Sequence, residues 1–427
     1  MHIFDIIALL IFCSGLFIFI NTFFLKLPSS IGLMFLALAL SVLVMTIGFL
    51  FPEYHLAEHV REFDFSEVMY RFFLSAMLFA GALNVDFKKL GDQLLPVLLL
   101  SFFGVLISTV VIGSLMYLVL DLMSIELNFT GCLIFGALIS STDPIAVTKT
   151  IRRFKLSQEL ERKISGESLL NGGIAIVLAF TLVNIQQQLS ADQTTSIGGI
   201  VLIFIQDIFG GLLVGVLFGW MGFKLLKYID NDVVEAEVLI TLAMVMAGSY
   251  LGDLLSISSM LVATVTGLIV GNYGRDEKTG ETAVGDFVYK FWQLLEESLA
   301  AMLFVLIGFE MLVVPFRLDY YAAGFFAVVV VIFARWLSVF IPIKMMSSKH
   351  HFDDKTISVL TWGAIRGGLP VAFTLSLSEF EGKGILLTLT YVVVVCSIIY
   401  QGLTVAPVMK LYQNSIQQKK QAVTPIE

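Results

Sequence analysis

Long apolar runs separated by short polar stretches fill the chain from residue 4 to residue 408. Runs of about 17–25 apolar residues have the length a helix needs to cross a bilayer. About thirteen such spans are predicted, at 4–25, 31–51, 68–85, 94–120, 128–150, 164–185, 198–223, 236–254, 257–272, 291–314, 320–343, 357–378 and 385–408. Barrel strands need only about 9–11 residues of strict alternation, so the pattern predicts an all-α polytopic membrane protein. The composition agrees: 58% of the 427 residues are hydrophobic and 14% charged. A soluble domain runs near 45–50% apolar and about 25% charged.

The basic residues orient the spans. Loops after odd-numbered spans carry Arg152, Arg153, Lys155, Lys224, Lys227, Lys419 and Lys420 among others, whereas loops after even-numbered spans carry only Arg61, Arg317 and Lys383. The positive-inside rule places the odd loops in the cytoplasm, with the N-terminus outside and the C-terminus inside. The opening MHIFDIIALL has no basic region ahead of its apolar stretch and reads as a retained span. Cys13, Cys132 and Cys396 lie in apolar runs without CxxC spacing, which indicates neither a disulfide framework nor a zinc site. No P-loop, dinucleotide fingerprint or nucleic-acid patch is present, and the short tail leaves no soluble regulatory domain to expect. Without a Ser/His pairing, HExxH or paired catalytic Asp motif, an enzyme is not expected, nor a cofactor.

An internal repeat is visible. SAMLFAGAL at 75–83 recurs loosely as AAMLFVLIG at 300–308, an offset of 225 residues, and Pro144 and Pro370 lie 226 apart. In the deduced orientation spans three and ten run in opposite directions, as do five and twelve. That is an inverted-topology repeat, the architecture of many secondary transporters. Span five holds Ser140-Ser141-Thr142-Asp143-Pro144 and span twelve holds Arg366-Gly367-Gly368-Leu369-Pro370. Polar residues with Pro or Gly in mid-span break the helical ladder, and such breaks persist where they line a cavity or an ion site. Interrupted spans in matching positions of two halves point to the substrate site.

Ionisable residues within spans are costly and need partners. Asp143 sits at the first break, Arg366 at the second and Arg335 in mid-span eleven; Glu167 and Asn171 are four apart at the opening of span six and share a helix face. Arg335 and Arg366 read as counter-charges and not as cation ligands. Asp207, Glu237, Asp253, Glu296, Glu297 and Glu310 fall nearer span ends and read as interfacial or snorkelling side chains. His55, His59, His350 and His351 read as surface residues.

In these stretches the chain resembles the NhaP-type sodium/proton antiporters of the cation/proton antiporter superfamily. The similar segments are LFAGALNVDF (78–87), GALISSTDPIAV (136–147), GESLLN (166–171), FVLIGFEM (304–311), ARWLSV (334–339) and WGAIRGGLPVAFTLSL (362–377), which follow the family order over nearly the whole chain. The resemblance implies a homodimer in the cell membrane, in which a core domain rocks against a dimerisation scaffold and exchanges Na⁺, or K⁺ or Li⁺, for H⁺. Mapped here, 68–185 and 291–408 would be the two core repeats. Residues 1–67 and 186–290 would form scaffold and linking helices, and 409–427 a short cytoplasmic tail. Asp143, Thr142 and Ser168 would hold Na⁺. Glu167, Asn171 and Asp143 would belong to the ion-binding and proton-coupling group. Glu167 would pair with Arg335, and Arg366 would neutralise charge at the break of span twelve.

One position departs from the family pattern. After GES-x-x-Asn the family places an aspartate that binds cation and proton in turn; here Asn171 is followed by Gly172. Competitive exchange needs a carboxylate that trades a proton near working pH. Asp143 and Glu167 are the remaining candidates, with Asp207 a remote third. Two readings follow: a cation/proton antiporter whose exchange chemistry rests on the remaining carboxylates, or an antiporter-fold protein with absent or weakened transport.

Overall fold

The computed structural model describes residues 3–27, 29–50, 73–85, 91, 94–142, 158–190, 197–229, 233–272, 285–310, 317–346, 354–377, 380, 382–405 and 407–409. The regular structure among them is helical. The helices are α1 (Ile3–Ile20), α2 (Ser29–Leu50), α3 (Ser75–Leu83), α4 (Leu94–Leu122), α5 (Phe129–Ser140), α6 (Gln158–Ser190) and α7 (Ile197–Ile229). They continue with α8 (Val234–Leu254), α9 (Ser259–Asn272), α10 (Asp286–Glu310), α11 (Leu318–Met346), α12 (Asp354–Trp362), α13 (Leu369–Ser376) and α14 (Lys383–Cys396), which runs on through a π-turn at Ser397–Gln401. Helices α1 to α11 match predicted spans one to eleven in order, with residues 68–72 of span three and 143–150 of span five outside the described residues; α12 and α13 together make span twelve, and α14 makes span thirteen. Among the described residues eight helices are long and apolar enough to cross a membrane, and α5 and α9 are shorter apolar helices. The protein is a multi-pass helical membrane protein.

Packing repeats with the same seven-span shift that the sequence offset implies. Helix α3 packs on α9, and its counterpart α10 packs on α2. Helix α4 packs on α5 and α6, and its counterpart α11 packs on α12 and α14. The two counterparts α4 and α11 pack on each other, as α3 and α10 also do. In this scheme α7 has no counterpart and packs against α6, α8 and α9.

Small residues set the closest approaches, since apolar side chains gain little by leaving lipid and association depends on tight packing. A Cβ placed on Gly267 of α9 would stand 2.5 Å from the Phe79 carbonyl oxygen of α3, and one on Gly271 would collide with the Leu83 carbonyl. On α7, a Cβ on Gly215 would lie 2.6 Å from Val265 Cβ, and one on Gly219 would lie 2.7 Å from Ile269 Cβ. That glycine stripe seats α7 directly on α9.

Two features differ from the pattern-based reading. Helix α6 begins at Gln158, ahead of the apolar run, because the polar stretch Gln158–Lys163 is itself helical. Glu167 and Asn171 therefore lie well inside α6 and not at its opening. Of the carboxylates expected at the interface, Glu237 (1% exposed), Glu296 (8%) and Asp207 (9%) are buried instead. Glu237 accepts a hydrogen bond from the Gly285 backbone, a partner 48 residues away that no local pattern announces. Asp253 is half-buried and Glu297 exposed. His55, His59, His350, His351 and the Glu310 side chain lie outside the described residues.

Candidate functional site

Helix α5 starts at an Asn128 cap, whose side chain accepts from the Gly131 N–H at 2.7 Å, and stops at Ser140. Ser141 turns extended, with ψ 142°. The Ser140 and Ser141 hydroxyls donate back to the carbonyls of Gly136 (2.6 Å) and Leu138 (3.0 Å), which favours bending at this point. Asp143 and Pro144, which follow Thr142, lie outside the described set. Span twelve breaks between Trp362 and Leu369, and Pro370 restarts it in the first turn of α13, where its missing N–H is no loss.

The two breaks meet through Arg366. Its Nη1 donates to the carbonyls of Ser140 (2.6 Å) and Ser141 (2.8 Å). Those carbonyls end α5 and carry the negative pole of its dipole, so a cation there both caps and neutralises it. The Arg366 backbone N–H donates to Ser397 Oγ at 2.8 Å, and that hydroxyl donates to Gln401 Oε1 one turn on. Arg366 is 2% exposed.

A second cationic centre fixes α6. Arg335 of α11 meets Glu167 in a fork, Nη1 to Oε1 at 2.7 Å and Nη2 to Oε2 at 2.8 Å, the strong planar geometry of guanidinium and carboxylate. Nη2 also donates to the Leu360 carbonyl of α12 at 3.2 Å. One guanidinium thus binds α6, α11 and half of a broken span. Asn171 Nδ2 donates to Glu167 Oε1 at 3.3 Å, and Ser101 Oγ of α4 reaches the Glu167 carbonyl at 3.3 Å.

Oxygen atoms gather on the neighbouring ridge of α6. Thr142 Oγ1 and Ser168 Oγ lie 2.8 Å apart, both buried. One turn along, at the i+3 position, Asn171 is 2% exposed and its Oδ1 has no hydrogen-bond partner among the described residues. Gly172 is the i+4 neighbour of Ser168, and among the described residues a Cβ there would meet only Leu78 Cδ2, at 3.8 Å. Arg335 and Arg366 also line a cavity of about 10 Å³ with Ser397 and Gln401, room for about one water; the Arg335 Nε–H has no acceptor among the described residues.

The structure therefore joins Thr142 to Ser168, Asn171 to Glu167, Glu167 to Arg335, and Arg335 to Arg366 across a shared cavity, and leaves Asp207 apart on α7. Sequence reading missed Ser101, Leu360, Ser397 and Gln401. Ser397 and Gln401 are polar at i, i+4 in an apolar span, a signal that was available; the Leu360 carbonyl carries no sequence signal.

A bundle of membrane helices whose two interrupted spans meet at a buried, charge-paired and oxygen-rich centre has the build of a secondary transporter. Residues 7–411 match the family described as sodium/hydrogen exchanger, transmembrane, and the chain belongs to that family. It is 37% identical to the Na(+)/H(+) antiporter NhaP of Pseudomonas aeruginosa over 413 residues, 95% of this chain and 96% of that one. It is 30% identical to the Na(+)/H(+) antiporter NhaH of Halobacillus aidingensis over 90% of this chain and 92% of that one. Its fold is similar to that of the sodium proton antiporter MjNhaP1 from Methanocaldococcus jannaschii, with a TM-score of 0.79 and 18% identity over 96% of this chain and 99% of that one.

Proposed function

We propose that the chain exchanges a monovalent cation, Na⁺ foremost, for H⁺ across the cell membrane by alternating access. The observation that carries this reading is the buried oxygen pair of Thr142 and Ser168 beside the end of α5, with Asn171 Oδ1, which has no partner among the described residues, one turn along α6. Hydroxyls, an amide oxygen and the carbonyls of a broken helix are the ligands a dehydrated monovalent cation takes in such folds. Asp143 follows Thr142 in sequence and supplies the carboxylate on which proton and cation compete. Glu167 serves as the anchor of Arg335, since both of its oxygens face the guanidinium. Arg366 holds the two breaks together. With Gly172 in place of a carboxylate, charge compensation for the cation falls to Asp143, and affinity is lower than an added carboxylate would give.

The moving core in this reading comprises 68–185 and 291–408, with 1–67 and 186–290 as scaffold and dimer helices; the packing of α4, α5 and α6 with α11, α12 and α14 supports grouping those helices, whereas α3 and α10 pack mainly on α9 and α2 of the scaffold. The N-terminus faces outward and the C-terminus the cytoplasm, and two copies associate within the bilayer. Cation-driven proton movement in proteoliposomes, followed with a pH-sensitive dye, tests the reading. Na⁺ is expected to drive a response that Asp143→Asn abolishes; no response to Na⁺, K⁺ or Li⁺ overturns it.

A further inference from the structure

The exchange reading needs groups that hold protons, and Gly172 leaves α6 without one that the family pattern supplies. A buried carboxylate stands elsewhere against the same helix. Asp207 of α7 is 9% exposed, and its side-chain partner among the described residues is Thr181 of α6, with Oγ1 to Oδ2 at 3.4 Å.

The geometry lets the Thr181 hydroxyl donate to Asp207 Oδ2, and counting protons decides whether it does. The Thr181 hydroxyl also lies 2.8 Å from the Val177 carbonyl, one turn back on α6. A hydroxyl carries a single proton, and the shorter, in-helix contact takes it. Thr181 then turns a lone pair toward Asp207. An ionised carboxylate facing a lone pair is repelled, whereas a carboxylic acid facing it donates its O–H and is satisfied. No Lys or Arg among the described residues bonds Asp207, and an unpaired ionised carboxylate buried at membrane depth is far costlier than the neutral acid.

Neighbouring charges do not alter this. Of the helices packed on α7, α9 carries no ionisable residue, and α8 carries Glu235, Glu237, Tyr250 and Asp253, none of them cationic. Helix α6 carries Glu159, Glu161, Arg162 and Lys163 near its start and then Glu167. Thr181 lies fourteen residues beyond Glu167, roughly 21 Å along the helix axis, so the Arg335 pair is out of reach.

We propose that Asp207 is a proton-binding site at the α6–α7 contact. Protonated, it donates to Thr181 Oγ1 and ties α7 to the helix that carries Ser168 and Asn171. When the proton leaves to water, two electron-rich oxygens face each other and the tie opens. Proton occupancy at Asp207 thereby biases the position of α6, which couples proton release to the cation cluster. This coupling rests on the exchange reading; the proton site itself does not.

Infrared spectroscopy of the protein in liposomes separates the two. At pH 7 a protonated-carboxyl C=O band is expected, lost in Asp207→Asn and moved to higher frequency in Thr181→Val, where the acceptor is gone. Asp207→Glu retains a band and serves should the asparagine variant fail to fold. An unchanged carboxyl region in Asp207→Asn, or an unmoved band in Thr181→Val, overturns the site. In proteoliposomes, Asp207→Asn is expected to lose one step of the pH dependence of cation-driven proton movement; a profile identical to the parent overturns the coupling. If the parent itself moves no cation, the exchange reading fails while the infrared band still decides the proton site.

Discussion

Replacing Arg335 with alanine strips Glu167 of both guanidinium bonds, at 2.7 and 2.8 Å, and removes the 3.2 Å bond to the Leu360 carbonyl. Both side chains are nearly inaccessible, 6% and 3% exposed, so bulk solvent does not reach the place of the lost partner. Breaking a buried pair from one side costs about 3–5 kcal/mol, whereas replacing both partners by apolar residues of similar volume is often neutral or stabilising. For a chain of 427 residues, an unfolding entropy near 2.1 cal/mol/K per residue makes 1 kcal/mol worth roughly 1 °C. Arg335→Ala should therefore lower the melting temperature by about 3–6 °C, and the paired change Glu167→Leu with Arg335→Met should recover most of that loss. Intrinsic-fluorescence melting in detergent and in lipid, at one scan rate, reads both. A single variant within about 1 °C of the parent, or a double variant as unstable as the single, would refute the claim that an uncompensated buried charge dominates here.

Three further outcomes follow from the geometry. A Cβ on Gly172 meets, among the described residues, only Leu78 Cδ2 at ordinary contact distance, so Gly172→Asp should fold and raise the apparent affinity for the driving cation by about tenfold or more, roughly one unit of charge-assisted interaction; cation titration of dye-reported proton movement checks this. Arg366→Ala leaves the Ser140 and Ser141 carbonyls buried without a donor, at about 1–3 kcal/mol each, and should lower both melting temperature and exchange. Gly271→Leu forces a side chain into the Leu83 carbonyl; overpacking of about 1–3 kcal/mol or more should show as reduced yield of folded protein on size-exclusion chromatography, with Gly15→Leu, where nothing lies within 4 Å, as the tolerated control.

Much of this architecture was legible because bilayer physics leaves strong marks on sequence. Apolar run length located the spans, and the recurrence of SAMLFAGAL near AAMLFVLIG with the paired Pro144 and Pro370 exposed the repeat. Residues at the breaks declared themselves because polar groups in mid-span need a reason to be there. Less was legible where partners are distant or are backbone atoms. Arg366 was expected to neutralise charge, yet its acceptors are carbonyls, which every residue possesses. Glu237 and Glu296 looked interfacial from their place along the run, but burial is set by which neighbour covers a helix end. The start of α6 was missed for a related reason: an apolar-run criterion does not register the helical but polar stretch before Ile164.

The reach of Arg366 also bears on how the chain is made. Its two acceptors precede it by 226 and 225 residues. At typical synthesis rates roughly 10–45 s separate their emergence from its own. Throughout that interval the end of α5 lies in or near the membrane without the donor that completes it. The first half of the chain is thus an unfinished object in the bilayer, able to insert but not to close its own centre. Nascent halves must stay loosely joined until the late arginine arrives, and a gene split between the repeats should yield stable protein only when both pieces are made together.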